Sequence, residues 1–386
     1  MNNGIIIFTF SMYAFFEYIH YVQNKKILEE NRINLKIKLS TSNSSNYSEA
    51  HEYFKKCDDE ESKMILHNIT DNKLNKNILY NSLAYYCSPL KGQLSDLINI
   101  LHNYHKLNEN DDNDNFIKLD ERWLVFKIPF IIAKLVNVLN YYTTQKLIYK
   151  NLYPIDKNHN VYMRYDANNE KTIIIFSGIV GGRLVLLRML KYIPHNYNII
   201  GVVYEEISYK FYEDIVYDIL ISHKITKNIV VYSWSYGTLF ANKFITKYKN
   251  EIDIKLKVFC DIFGLPLNTL YMANICGTND LCKAYKLLKL KVKPFFNGLL
   301  MFLLLKSEII EKRIMTLTLN DYLLWSLDNL NKADTILFIS NDDIMYNVDT
   351  IKLYCSNAYI KVFDGGHCSG INRKSLNILK EKLISL

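Results

Sequence analysis

Cysteine is sparse in this chain. The 386 residues include seven cysteines, an odd number, and no two of them form a Cys-x-x-Cys pair. Structural zinc sites and disulfide-rich scaffolds depend on paired or closely spaced cysteines. We therefore expect neither a metal site nor a dense set of disulfides. Cys276 and Cys282 are near enough in sequence to pair within one loop, but free thiols fit their spacing equally well.

The sequence also lacks any dense run of Lys and Arg. It carries 47 basic and 39 acidic residues, for a net charge of +8. A nucleic-acid interface needs basic clusters with interleaved aromatic residues, so we expect no nucleic-acid partner. Glycine and proline are few, at 13 and 6, and the skew toward Asn, Lys, Ile and Tyr in every segment indicates coding bias. The length leaves room for one large domain and a second region.

The N-terminal part contains two apolar segments. Residues 4–22 approach the length of a membrane span, but Glu17 and His20 are costly at membrane depth, and no basic residue precedes them as in a signal peptide. Residues 123–149 predict a long helix, begun or broken at Pro129, that packs on the following domain or lies on a membrane surface. We expect residues 1–26 to be a possible membrane anchor and residues 27–157 to be polar and helical. A membrane-associated location is favoured over a soluble cytoplasmic one.

From about residue 158, short apolar runs alternate with helical stretches. The apolar runs are residues 172–176, 199–204, 228–232, 256–259, 335–339 and 359–363. Continuous apolar runs are typical of strands buried on both faces of a parallel sheet with crossover helices. We predict an α/β domain over residues 158–386, with a mostly parallel sheet and helices on both faces. An apolar insertion at about 264–330 is expected to form a helical lid.

One serine is placed for a catalytic role. Ser235 stands between the predicted strand 228–232 and a predicted helix 237–248, with the small residues Ser233 and Gly237 two positions to either side. A tight strand-to-helix turn projects its serine above the sheet and needs small flanking residues. The helix N-terminus directs backbone N–H groups, including that of Tyr236, toward developing negative charge. The alternative is a serine that only caps the helix.

A histidine and an aspartate follow the last two predicted strands. His367 comes after Gly365 and Gly366, which suit a sharply bent loop that presents the ring. Imidazole titrates near neutrality, so it can take the serine proton and return it to a leaving group. Asp343 follows the strand 335–339 and can accept a hydrogen bond from the histidine. A surface-loop histidine and a turn or capping aspartate are the alternatives.

Two other aspartates compete for the acidic role. Asp342 is the direct neighbour of Asp343, and Asp261 follows the predicted strand 256–259.

A glycine-bearing loop, residues 177–182, follows the strand 172–176. Its backbone is suited to donate N–H groups to an oxyanion, with Ile179 as the donor paired with Tyr236. The alternative is a turn that binds phosphate at a helix start. The loop is not a Gly-x-Gly-x-x-Gly, and no acidic residue is placed for a ribose, so we expect no dinucleotide and no other cofactor.

The order of these features resembles the α/β-hydrolase family over residues 158–386. In that family the chain order is Ser, Asp, His, and the serine turn reads small-x-Ser-x-small, as around Ser235. The family's acid often stands three residues after a glycine that closes a strand; Ser340 occupies that place, and three residues on is Asp343. The chain departs from the family pattern at Ser233, in place of the first turn glycine, and at Ser177, in place of a common histidine.

The resemblance implies a serine hydrolase of the esterase or lipase kind. Ser235, Asp343 and His367 would form the triad, Ile179 and Tyr236 the oxyanion hole, and the apolar lid would suit a lipid or other hydrophobic acyl substrate. Two alternatives stay open. One is a catalytically inactive binding protein on the same fold. The other is a membrane-anchored structural protein whose N-terminal part carries the role.

Overall fold

A computed structural model describes residues 130–156, 160–178, 182–204, 212–263, 327–343, 346, 348–367 and 369–386. The predictions for the apolar segment 4–22, for the polar region 27–129 and for most of the lid, residues 264–326, lie outside these ranges. So does Ile179.

Eight strands form one sheet. In chain order they are β1 (Tyr153–Pro154), β2 (Val161–Arg164), β3 (Lys171–Phe176), β4 (Tyr197–Val202), β5 (Ile229–Trp234), β6 (Ile254–Cys260), β7 (Thr335–Ser340) and β8 (Tyr359–Phe363). The spatial order is β1-β2-β4-β3-β5-β6-β7-β8. β2 pairs antiparallel with β1 and β4, and every other neighbouring pair is parallel.

Six helices lie in the described ranges. They are α1 (Phe130–Tyr149), α2 (Gly182–Met189), α3 (Tyr212–Ser222), α4 (Gly237–Tyr248), α5 (Val348–Tyr354) and α6 (Arg373–Ser385), with a short 3₁₀ turn at Leu327–Asn329. The order and directions of the strands are those of the α/β-hydrolase fold. The fold class predicted from the sequence is therefore confirmed.

Both faces of the sheet are covered. On one face, strand side chains such as Ile173 and Ile175 join a buried cluster with Leu186 of α2 and Leu379 of α6. On the other face, the ring of Phe176 packs on Phe244 of α4, with 5.8 Å between centroids. Burial on both faces explains why these strands are continuous apolar runs in the sequence.

Helix α1 begins directly after Pro129, as the sequence predicts, and only its C-terminal end packs firmly on the domain. Leu147 is fully buried, and the Thr144 hydroxyl lies 3.2 Å from the hydroxyl of Tyr162 on β2. By contrast, Leu135, Val138 and Tyr141 are exposed. Among the helices in the described ranges, none combines the length and the apolar character needed to span a membrane.

The two antiparallel strands were not predicted. β1 has only two residues, and β2 ends in the polar Arg164, so neither produces a run of apolar residues. They extend the sheet beyond β4, so that its first strand begins at Tyr153.

The winding of the chain reverses at β3. This strand lies between β4 and β5, so the chain moves to one side of β3 and then to the other. Ligands of open α/β sheets bind outside the carboxyl ends of the strands at such a reversal. The ends of β3 and β5 are therefore where a functional site is expected.

A buried ion pair joins α3 to α4 on one face of the sheet. Lys243 Nζ lies 2.9 Å from Glu213 Oε1, and the two side chains are only 4% and 3% exposed. Two charges removed from water at this depth are stable only together, because either one alone keeps the cost of desolvation without the attraction.

We predict that Glu213→Gln lowers the free energy of unfolding by about 3 kcal/mol, because it removes the carboxylate that lies 2.9 Å from the buried Lys243 ammonium. Asp253→Asn is the matched control, since Asp253 pairs with Lys255 at 2.8 Å with both side chains nearly half exposed. It should cost less than about 1 kcal/mol. Urea denaturation measures both, and equal losses would contradict this account.

Candidate active site

Ser235 lies on a sharp turn between β5 and α4. Strand β5 ends at Trp234 and helix α4 begins at Gly237, so two residues make the whole connection. Ser235 adopts a left-handed conformation, with φ of +49°, which costs a residue other than glycine about 1 kcal/mol. Its backbone N–H donates to the carbonyl of Cys260 at the end of β6, at 2.9 Å. The serine thus stands at the carboxyl edge of the sheet, beside the reversal at β3.

Close packing of the backbone makes this turn tight. A Cβ at Gly237 would lie 2.3 Å from the carbonyl oxygens of both Phe176 and Ser177, a distance that no side chain tolerates. On the other side of the turn, Ser233 is fully buried and its hydroxyl donates to the Val258 carbonyl at 3.2 Å. A serine is therefore accommodated at this tight position, because its hydroxyl finds an acceptor on β6.

Thr238 stabilises the same turn through hydrogen bonds, and its role was not predicted from the sequence. Its hydroxyl lies 2.6 Å from the carbonyl oxygen of Ser235 and accepts a hydrogen bond from the Phe263 N–H at 2.8 Å. Thr238 is fully buried. A threonine in the first turn of a helix is common, so the sequence carries no signal that singles it out.

Three side chains from distant parts of the sequence meet above this edge. Ser235 Oγ lies 2.7 Å from His367 Nε2, and His367 Nδ1 lies 2.8 Å from Asp343 Oδ2. With the Nδ1 proton donated to the carboxylate, Nε2 is left to accept the serine proton. The hydroxyl, the imidazole and the carboxylate therefore form one continuous chain of hydrogen-bond contacts.

The histidine is held at the end of β8 by a bent loop. Gly365 has φ of +117°, which L-residues rarely adopt, and this conformation turns the chain so that His367 faces the sheet edge. Beyond the loop, Asn372 caps helix α6 by accepting from the Lys374 and Ser375 N–H groups. The loop is thereby held between a strand and a capped helix.

The structure distinguishes among the three candidate aspartates. Asp343 contacts the imidazole and its side chain is completely buried. Asp342, the adjacent residue, is exposed. Asp261 is fully buried nearby but bonds to Ser340, Tyr346 and Gly370 instead.

The charges around His367 favour its protonated form. Burial by itself lowers the pKa of His367, but the charge of Asp343, the hydrogen bond to it and the charge of Asp261 outweigh burial and raise the pKa to about 9. Two carboxylates thus attract the proton that the imidazole would take from the serine.

Of the two residues predicted for an oxyanion hole, Tyr236 lies within the described residues and Ile179 does not. Tyr236 follows Ser235 at the N-terminus of α4, where the helix dipole favours negative charge. Next to Ile179, Gly178 packs closely on Trp234. A Cβ added at Gly178 would lie 2.8 Å from the indole ring. The part of the loop that is described therefore leaves no room for a larger residue.

Aromatic side chains surround Tyr236, and the sequence did not reveal them as a group. The Tyr236 ring lies 5.4 Å from Tyr204, 5.2 Å from Phe240 and 5.9 Å from Phe263, measured between centroids. These residues come from β4, α4 and β6 or the turns after them, so only the folded chain brings them together. They form a buried aromatic cluster around the residue that follows Ser235.

No group of three His, Cys, Asp or Glu side chains in the described ranges is placed to hold a metal ion.

No protein-family model matches the sequence, and no curated protein matches it. The chain is similar in structure to MGS-M2, an α/β-hydrolase enzyme from a Medee basin deep-sea metagenome library, with 17% identity over 58% of this chain and 94% of that one, and a TM-score of 0.42. It is also similar to the esterase RhEst1 from a Rhodococcus species, with 13% identity over 58% and 95% of the two chains, and a TM-score of 0.42. The fold assignment depends on this chain's own strand order.

We predict that Gly237→Ala destabilises the protein by about 2–3 kcal/mol, because the added methyl group would overlap two backbone oxygens and force α4 away from β3. Gly366→Ala is the control, since the nearest atom to a Cβ there is the Asp342 carbonyl oxygen at 3.8 Å. Its free energy of unfolding should stay close to that of the parent. If urea denaturation gives the same value for both variants, the close packing of Gly237 is not what holds the turn.

Proposed function

We propose that the protein is a serine hydrolase that cleaves a carboxylic ester through an acyl-enzyme on Ser235. The observation that carries this proposal is the continuous chain of contacts from Ser235 Oγ through His367 to Asp343, at 2.7 and 2.8 Å. The left-handed turn at Ser235 supports it further, because it holds the hydroxyl above the sheet edge rather than against the helix.

In the first half of the reaction, Ser235 Oγ attacks the ester carbonyl carbon while His367 Nε2 takes the hydroxyl proton. Asp343 holds the imidazole in position and stabilises the imidazolium. The negative charge on the carbonyl oxygen is stabilised by the backbone N–H groups of Tyr236 and Ile179. When the tetrahedral intermediate collapses, the carbon–oxygen bond to the alcohol breaks, and His367 gives its proton to that alcohol.

In the second half, water replaces the alcohol. His367 takes a proton from the water while the water oxygen attacks the acyl carbon. His367 then gives that proton to Ser235 Oγ as the acyl–serine bond breaks. The acid leaves, and the serine and histidine return to their starting states. Residues of this chain supply every proton transfer in the scheme.

A hydrophobic acyl group is the part of the substrate that we expect to be recognised, in keeping with the buried aromatic cluster around Tyr236, the residue after Ser235. Tyr236 contacts Tyr204, Phe240 and Phe263 next to the proposed nucleophile. The apolar insertion in the sequence, residues 295–305, agrees with an acyl-binding surface.

Labelling with a fluorophosphonate tests the nucleophile. We predict that the parent is labelled and that Ser235→Ala is not, because the reagent requires an activated serine. Ser233→Ala is the matched control, since it removes a buried hydroxyl two residues away that donates only to Val258. It should keep its labelling and lose about 1 kcal/mol of stability. An unlabelled but folded parent would favour the inactive binding protein over the enzyme.

A series of p-nitrophenyl esters tests the acyl preference. We predict that kcat/KM for the butyrate ester exceeds that for the acetate by about tenfold, because each buried methylene contributes about 0.8 kcal/mol. Ser235→Ala should hydrolyse neither ester above background. Faster hydrolysis of the acetate would reject a hydrophobic acyl site while leaving the nucleophile in place.

A further inference from the structure

A second buried carboxylate lies beside the proposed triad. Asp261 directly follows β6, is fully buried and adopts a left-handed conformation with φ of +46°. This conformation is energetically unfavourable for a residue other than glycine, and burial is unfavourable for an ionisable side chain. Asp261 makes no contact with the imidazole nitrogens, which bond to Ser235 and Asp343.

The carboxylate of Asp261 is met by three hydrogen-bond donors. The Ser340 hydroxyl donates to Oδ1 at 2.5 Å, the Tyr346 hydroxyl donates to Oδ1 at 3.1 Å, and the Gly370 N–H donates to Oδ2 at 2.9 Å. The backbone at Gly370 lies so close to Asp261 that glycine is required, since a Cβ there would lie 2.9 Å from both carboxylate oxygens. The site is therefore shaped for this carboxylate.

The three donors belong to the segments that carry the acid and the base. Ser340 and Tyr346 stand three residues before and three residues after Asp343, and Gly370 stands three residues after His367. The Ser340 N–H also donates to the Tyr346 hydroxyl at 2.7 Å, which closes the turn around Asp343. The Asp261 side chain, directly after β6, thus joins the turn of Asp343 to the loop of His367.

We propose that Asp261 is a positioning residue for the reaction: its carboxylate holds the Asp343 turn and the His367 loop together and adds a second negative charge beside the imidazole. This proposal rests on the proposed function for its catalytic consequence. Its electrostatic consequence belongs to the folded protein and does not require substrate.

The pKa shifts agree with this arrangement. Burial and the Asp343 charge raise the pKa of Asp261, the His367 charge and the bonds from Ser340 and Gly370 lower it, and the net result is a pKa of about 6. In turn, the Asp261 charge is one of the causes that raise the pKa of His367. Above about pH 6, Asp261 is ionised and stabilises the imidazolium; below it, that contribution is lost.

Other titratable groups face this pair within the described ranges. Besides Asp343 and the phenol of Tyr346, they are Cys260 at the end of β6 and Tyr232 on β5, whose hydroxyl accepts from the Cys260 thiol. Burial raises the pKa of Tyr346, Cys260 and Tyr232 well above their ordinary values, so all three stay neutral between pH 5 and 9. Asp343 and Asp261 are therefore the two charges that act on His367.

Asp261→Asn tests the proposal, with Asp342→Asn as the matched control that removes an exposed carboxylate beside Asp343. The readout is the pKa of His367 from an NMR titration of the imidazole. The His367→Gln spectrum identifies its signal among the nine histidines. We expect the pKa of His367 to fall by about one unit in Asp261→Asn, because an attracting charge is removed. The control should change it much less.

The pH dependence of kcat/KM gives a second readout. The base must be neutral in the free enzyme, so kcat/KM rises with pH through the pKa of His367. In Asp261→Asn this rise should move about one unit toward acid, with a loss of about tenfold at the plateau from poorer positioning. Asp343→Asn should instead lose on the order of 10⁴-fold. A larger loss in Asp261→Asn than in Asp343→Asn would make Asp261 the acid of the triad and overturn the proposal.

An unchanged pKa of His367 in folded Asp261→Asn would also overturn it. If that variant does not fold, Ser340→Ala replaces it: it removes the hydroxyl that ties Asp261 to the turn of Asp343, so kcat should fall about threefold with KM unchanged, and an unchanged kcat would refute the proposal. If the parent neither hydrolyses esters nor labels with fluorophosphonate, the proposed function fails alone, since the titration still tests Asp261.

Discussion

Gly237 packs against the carbonyl oxygens of Phe176 and Ser177 with no room for a side chain between them. This contact brings the start of α4 down onto the end of β3, at the strand where the winding of the sheet reverses. With α4 fixed there and β5 paired up to Trp234, only Ser235 and Tyr236 remain to reverse the chain direction. The left-handed conformation at Ser235 follows from this constraint, and with it the direction of the hydroxyl.

Electrostatic interactions govern the part of the site around His367. His367 lies between the Ser235 hydroxyl and the Asp343 carboxylate, and Asp261, directly after β6, adds a second negative charge. Burial raises the pKa of Asp261, and repulsion from the Asp343 carboxylate adds to that rise. Hydrogen bonds from Ser340, Tyr346 and Gly370 offset that repulsion, and they are also what ties the two loops together.

Much of the fold was predictable because strands buried on both faces leave continuous apolar runs, as in β3, β5 and β7. The residues Ser235, Asp343 and His367 were predictable as candidates because each follows such a run, and parallel strands end at one edge. The strands β1 and β2 were missed because they are short and lie at the margin of the sheet. The contacts of Thr238 and Asp261 were not predictable, because their partners lie 25 to 109 residues away and depend on which strands are neighbours. Asp261 itself was visible only as a competitor for the acid.

In the proposed reaction, Ser235 Oγ attacks the ester carbonyl carbon, and the N-terminus of α4 stabilises the resulting oxyanion. A crystal structure of the protein after reaction with a fluorophosphonate tests this most directly. The account predicts phosphorus bonded to Ser235 Oγ, a phosphoryl oxygen within about 3 Å of the Tyr236 backbone nitrogen, and the His367 ring still bonded to Asp343. Phosphorus on any other side chain, or a phosphoryl oxygen directed away from α4, would contradict it.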